Sequence, residues 1–131
     1  MTDILVKDVM RRDVTTIFAD KQLKEVARIM AQNHVEEVVV VNKKAEVLGV
    51  IPDCVLIQAY GTDLYTSVAK DILVPHTGTV SGEVTLTEAI QLMGEKKIRS
   101  LVAVASDKAR VPRWPVGILS CTDIVRAMVG S

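Results

Sequence analysis

Lys7-Asp8-Val9-Met10 returns 63 residues later as Lys70-Asp71-Ile72-Leu73, and this echo decides how the chain is read. The same offset aligns Thr16 with Thr79, Leu23 with Leu86, Glu25 with Glu88, Met30 with Met93, Val39 with Val102 and Val41 with Val104. Gly49-Val50-Ile51 then aligns with Gly117-Ile118-Leu119 at an offset of 68, so the second copy carries five extra residues. A repeat of about 60 residues is longer than the usual 20–50 of a solenoid. Two copies related by a pseudo-twofold axis are the better reading, and a cleft between them is a ready place for a ligand. The copies span 1–61 and 68–131, joined by a linker at 62–67, and together form one compact module.

At 131 residues the chain fits one domain, and halves this small are expected to share a core. Apolar residues make up 49% but aromatics only 3%, so that core is built from Val, Ile, Leu, Met and Ala. Sixteen basic residues balance sixteen acidic ones, leaving no global field to attract nucleic acid or a membrane surface. So few rings also offer no base-stacking platform. Cys54 and Cys121 occupy non-equivalent repeat positions. With His34 and His76 they make neither a disulfide framework nor a zinc pattern, so no metal is expected. No apolar run approaches the ~20 residues of a bilayer span, and no signal segment opens the chain. The expectation is a cytoplasmic protein.

Each copy reads as short strand, helix, strand, strand, helix. Leu23, Val26, Ala27 and Met30 recur at i, i+3, i+4 and i+7, an amphipathic helix that Asp20 is placed to cap. The second copy repeats the stripe as Leu86, Ala89, Ile90 and Met93, with Thr85 and Glu88 as a capping box. The runs Val38–Val41 and Leu101–Val104 are continuously apolar, as in strands covered on both faces. Asn42-Lys43-Lys44-Ala45 turns into a strand at Val47–Ile51, whereas the equivalent turn expands into a loop from Ser106 to Pro115. Final helices are expected over Asp53–Ala59 and Cys121–Val129. The fold class is α/β (α+β), two β-α-β-β-α repeats packed through their sheets.

This order, with Lys-Asp-Val-Met, Thr-Thr-Ile, an amphipathic helix, a valine strand and Gly-Val-Ile, resembles a cystathionine-β-synthase (CBS) domain; two in tandem resemble a Bateman module. The resemblance covers about Val6 to Met128. Its most specific stretch is Gly117-Ile118-Leu119-Ser120-Cys121-Thr122-Asp123-Ile124, similar to the family signature hydrophobic-Gly-hydrophobic-hydrophobic-Ser/Thr-x-x-Asp. The resemblance implies a regulatory module, not an enzyme, that binds an adenosine-containing ligand (AMP, ADP, ATP or S-adenosylmethionine) between the repeats. It also implies a homodimer and an effector protein that reads the state of the module.

Carried over residue by residue, the resemblance gives Asp123 to the ribose hydroxyls, with Ser120 and Thr122 supplying hydroxyls to ribose or phosphate. A carboxylate that accepts both vicinal hydroxyls makes two charge-assisted hydrogen bonds. Ile98-Arg99-Ser100 would line the nucleotide, with Arg99 toward phosphate, Thr77 and Thr79 toward adenine or sugar, and Ile98 and Ile118 as apolar walls. Each residue has a plain structural alternative: Ser120-x-x-Asp123 is also a helix-capping box, Arg99 a solvated arginine and Thr79 a β-branched strand residue. The first copy departs from the pattern. Pro52 stands where Ser120 does, Val55 where Asp123 does, and Glu36-Glu37 where Arg99-Ser100 do. Acids there oppose a phosphate, so one competent site is expected, in the second copy. His34 stands beside the damaged copy.

Other classes are less well supplied. No Gly-rich phosphate loop and no nucleophile–base arrangement is present to support catalysis. An interaction scaffold with degenerate ligand sites is the alternative, with Val55, Leu56 and Ala59 and then Ile124, Val125 and Met128 as candidate dimer faces. The chain is short for a protein with its own effector domain, so it reads as a stand-alone module or a piece of a longer one.

Overall fold

A computed structural model describes residues 3–75, 78–105 and 114–130; Thr77, His76 and most of the expanded loop lie outside them. The first half holds α1 (Val6–Val9), β1 (Thr16–Phe18), α2 (Leu23–Asn33), β2 (Glu37–Val41), β3 (Val47–Pro52) and α3 (Asp53–Leu56), which runs into a 3-10 turn at Ile57–Ala59. A second 3-10 turn, Ala69–Asp71, leads into β4 (Val74–Pro75). The second half holds β5 (Gly78–Ser81), α4 (Leu86–Lys96), β6 (Ser100–Val104), β7 (Pro115–Ser120) and α5 (Cys121–Met128). The strand-helix-strand-strand-helix order therefore occurs twice, in a mixed α/β fold with two sheets.

Those sheets repeat one another in register. β2 pairs parallel with β1 and antiparallel with β3, and β6 pairs the same way with β5 and β7. Glu37 faces Pro52 as Ser100 faces Ser120, and both ladders shift register after the equivalent residues Val40 and Ala103. α2 and α4 each end at a left-handed residue, His34 and Lys97, whose φ values are 53° and 54°. His34 is therefore the C-terminal cap of α2. Thr85 caps α4 as the sequence predicts, its hydroxyl accepting the Glu88 N–H at 3.2 Å. Asp20 does not cap α2. The helix begins after Gln22, and its first N–H groups, on Leu23 and Lys24, donate to the carbonyls of Ser67 and Leu64. A distant backbone segment thus does the work assigned to a local side chain.

The chain forms two compact units that do not follow the order of the repeats. One is continuous, Thr15–His76; the other is discontinuous, Met1–Val14 with Thr77–Ser131. In the discontinuous unit the N-terminal segment docks on the body of the second repeat, where Val6 N–H donates to Val84 O and Lys7 N–H to Gly82 O. In the continuous unit Ala69 and Lys70 make the same bonds to Lys21 and Ala19. The Lys-Asp motif has a structural role in both: the Asp8 carboxylate accepts the Leu5 N–H at 3.0 Å, and Asp71 accepts that of Val68 at 2.9 Å. Each unit has an apolar cluster of its own. Val6, Met10, Leu86, Met93, Leu101, Leu119 and Ile124 form the discontinuous unit's cluster. Ile124 is thus a core residue, not part of an open face.

Backbone pairing of the docked segments explains a glycine in each repeat. Arg11 and Ile118 exchange both backbone hydrogen bonds at 2.9 Å, and a Cβ on Gly117 would lie 2.4 Å from Met10 Sδ and 2.9 Å from Arg11 O. β4 pairs with β3 in the same way, and a Cβ on Gly49 would lie 2.3 Å from Val74 O. Gly94, by contrast, is an exposed helical glycine with nothing within 4 Å of its would-be Cβ. Gly117→Ala should therefore destabilise by about 1–3 kcal/mol through overpacking, while Gly94→Ala should stabilise by about 0.5–1 kcal/mol through helix propensity. Urea denaturation of the two variants should show midpoints moving in opposite directions.

Candidate functional site

β7 ends at Ser120 because the next residues turn into α5, and the turn is closed by a reciprocal pair. The Ser120 hydroxyl accepts the Asp123 N–H at 3.2 Å, and Asp123 Oδ2 accepts the Ser120 N–H at 2.9 Å. The capping box read from the sequence is formed. In the first repeat Pro52 occupies the cap position without a side-chain bond, and α3 gives way to the 3-10 turn after four residues, whereas α5 runs for eight.

The rest of the candidate site gathers around this corner. Ser100 is the register partner of Ser120. The Arg99 carbonyl accepts the Cys121 N–H at 3.0 Å, fixing the start of β6 against the first turn of α5, with the Arg99 side chain exposed. Thr122 is exposed on that first turn. Thr79, Val102 and Ile118 form one register row across β5, β6 and β7, and partners in register share a face. Ser120, two residues from Ile118, lies on that face too. Thr79 is exposed and Ile118 buried. Ile98 instead packs against the discontinuous unit's core cluster.

Asp123 is the one charged residue buried among those described, at 5% exposure. Two arginines compensate it. Arg126, one turn along α5, donates to Oδ1 at 3.3 Å, and Arg11 Nε lies 3.6 Å from Oδ2. Sequence reasoning missed both. Arg126 was legible as the i+3 neighbour of the carboxylate. Arg11 reaches Asp123 only because its backbone pairs with Ile118, a contact 107 residues away in the chain. The continuous unit has Val74, Glu36, Val55 and Gln58 at the positions of Arg11, Arg99, Asp123 and Arg126. The backbone is matched there as well, since the Asp53 N–H donates to Glu36 O at 2.8 Å.

Among the described residues no group of three His, Cys, Asp or Glu side chains could hold a metal ion. No helix among them is long and apolar enough to cross a membrane.

Comparison with known proteins agrees with the duplicated fold. The sequence pattern of the CBS domain matches residues 6–60 and again 69–130. The chain belongs to the CBS domain family, and carries the domain as a pair. An uncharacterized protein of Methanopyrus kandleri is 30% identical over 129 residues, which is 96% of this chain but only 63% of the longer relative. Among solved structures, the CBS domain pair of protein MJ0100 in complex with 5′-methylthioadenosine and S-adenosyl-L-methionine is similar at a TM-score of 0.79 and 19% identity, covering 98% of each chain. CBSX2 in complex with AMP is similar at a TM-score of 0.75 and 22% identity, over 96% of this chain and 97% of that one.

The cap has a measurable consequence without any ligand. Ser120→Ala should lower stability by about 0.5–2 kcal/mol, the usual cost of losing a side-chain N-cap. Pro52→Ala, at the matching position with no cap to lose, should not weaken its helix in this way. Thermal melts of the two variants would check the contrast.

Proposed function

We propose that the chain is a ligand-sensing regulatory module, not an enzyme, which binds an adenosine-containing ligand at the β7–α5 corner of the discontinuous unit and modulates a partner protein. One observation carries this reading: the continuous unit builds the same corner, in the same register, with Pro52, Val55, Val74 and Gln58 in place of Ser120, Asp123, Arg11 and Arg126. The fold does not require these side chains, so a ligand is the better reason for burying a charge there. A carboxylate offers about four lone-pair sites. Asp123 accepts from Ser120 N–H and Arg126, with Arg11 Nε 3.6 Å from Oδ2, and the vicinal hydroxyls of a ribose would take the remaining lone pairs. Thr122, Arg99, Ser100, Thr79 and Ile118 then supply hydroxyl, cationic and apolar contacts, and the family pairs bound to AMP, 5′-methylthioadenosine and S-adenosyl-L-methionine support the adenosyl class.

The test is a melting and calorimetric screen with AMP, ADP, ATP, 5′-methylthioadenosine and S-adenosylmethionine. A ligand at about a hundred times its Kd stabilises by about 2.7 kcal/mol, which moves Tm by several degrees. Asp123→Ala should weaken binding by about ten- to a hundred-fold, the effect of losing a charged acceptor. Val55→Ala should leave it unchanged. Equal binding by the parent and Asp123→Ala would refute the site, and silence from every compound would refute the class.

A second reading, a dimerisation scaffold, is favoured by α5 itself, where Val125 is 58% and Met128 78% exposed. Apolar side chains so placed suit a second copy of the chain meeting them across an isologous contact. Met128→Glu should then shift the protein toward monomer in analytical ultracentrifugation, with the melting temperature of the monomer preserved.

A further inference from the structure

The final helices of the two repeats are anchored differently. α5 buries Asp123 and Ile124 in its unit. At the matching positions Val55 and Leu56 are half-buried, and no residue from 52 to 68 is fully buried. Leu56, Ala59 and Leu64 rest against the apolar cluster of the continuous unit, whereas Ile57, Tyr60 and Tyr65 are 64%, 92% and 61% exposed. Bonds inside this stretch are short-range: Tyr60 N–H donates to Ile57 O, Thr62 N–H and hydroxyl to Ala59 O, and Tyr65 N–H to Asp63 Oδ1. Its ends are tied to the body of the unit. Asp53 N–H donates to Glu36 O at 2.8 Å, Val68 bridges to Gln22, and Ala69 N–H donates to Lys21 O at 2.8 Å. Between those ends the stretch meets the start of α2, where Lys24 N–H donates to Leu64 O at 3.0 Å and Gln22 Nε2 to Tyr65 O at 2.9 Å. The neighbouring Leu23 N–H is held at the anchored end, by Ser67 O at 3.0 Å.

We propose that residues 54–66 form a strap that opens locally and uncaps α2 at Lys24, while the sheet and core of the continuous unit stay folded. Segments with few buried apolar side chains and exposed backbone bonds open at free energies well below that of global unfolding. None of the buried members of the unit's apolar cluster comes from the strap, so Ile17, Leu23, Val26, Val38 and Ile51 keep one another's company when it lifts. α3 adds little resistance. It has no side-chain cap and gives way to a 3-10 turn after four residues, and a helix so short depends on tertiary packing. The cost at the far side is confined to the first turn of α2, where Lys24 N–H loses its acceptor and Leu23 N–H keeps its own. The strap and that turn therefore form one conformational device: an event that favours the open form at either place is felt at the other. Every contact involved lies within the continuous unit, and the device operates with or without a ligand at the β7–α5 corner.

The experiment is amide hydrogen exchange of the isotope-labelled full chain, followed residue by residue by NMR at a series of sub-denaturing urea concentrations. The Tyr60, Thr62 and Lys24 amides should exchange about a hundredfold faster than those of β2. Their opening should depend only weakly on urea, because little surface is exposed by it. Leu23 N–H should stay protected with β2. Leu64→Ala keeps the carbonyl that accepts Lys24 N–H and removes a side chain that holds the strap down. It should speed the strap and Lys24 amides about tenfold and leave Leu23 and β2 unchanged. Strap and Lys24 amides that exchange at the β2 rate with the β2 urea dependence would overturn the proposal, since the strap would then open only with the whole unit. Fast strap amides beside a Lys24 as slow as β2 would overturn the link to α2. Equal acceleration of Lys24 and β2 by Leu64→Ala would overturn the separateness of the strap. The parent carries the first two outcomes by itself, whatever the stability of the variant.

Discussion

The backbone of Arg11 lies against that of Ile118 across a residue with no side chain, and much of the discontinuous unit depends on that approach. Two hydrogen bonds of 2.9 Å close the pair, and any Cβ at Gly117 would enter Met10 and the Arg11 carbonyl. The consequence is chemical as well as structural. Once the N-terminal segment is fixed there, Met10 joins the core cluster and the next side chain along, Arg11, reaches Asp123. A glycine that permits close strand pairing thereby brings a second cation, in addition to Arg126, to the buried carboxylate.

Duplication provides an internal control. The repeats share strand register, left-handed caps at His34 and Lys97, the Lys-Asp turn and the glycine beneath a docked segment. All of these rest on backbone hydrogen bonds and apolar packing. The charged set at the β7–α5 corner is not shared. Burial of an ion is costly unless partners compensate it, and the discontinuous unit supplies the partners while the continuous unit has no charge at the matching position. The two corners thus share one scaffold and differ in the charges placed on it.

The repeat, the strand-helix-strand-strand-helix order, the α4 cap at Thr85 and the Ser120–Asp123 box were legible because each is local. Periodicity, turn residues and a three-residue spacing act within one or two helical turns. Asp20 misled for the same reason: local rules favoured a side-chain cap, but the carbonyls of Leu64 and Ser67 reached the α2 N–H groups first. Leu5 and Thr85, Gln22 and Val68, and Arg11 and Ile118 meet across long stretches of chain, and nothing in the periodicity of either partner announces the other.

The sequence by itself determined the duplicated architecture, the family to which it belongs and the carboxylate at the centre of the candidate site. Hydrophobic period, glycine placement and the Ser-x-x-Asp spacing are properties of neighbouring residues. Only the tertiary structure decided which segments complete each unit, and hence that Arg11, from the N-terminal segment, joins Arg126 beside Asp123. Backbone groups left open at the end of one sheet take whichever strand the whole chain brings to them, and that choice is settled by packing over more than a hundred residues of separation.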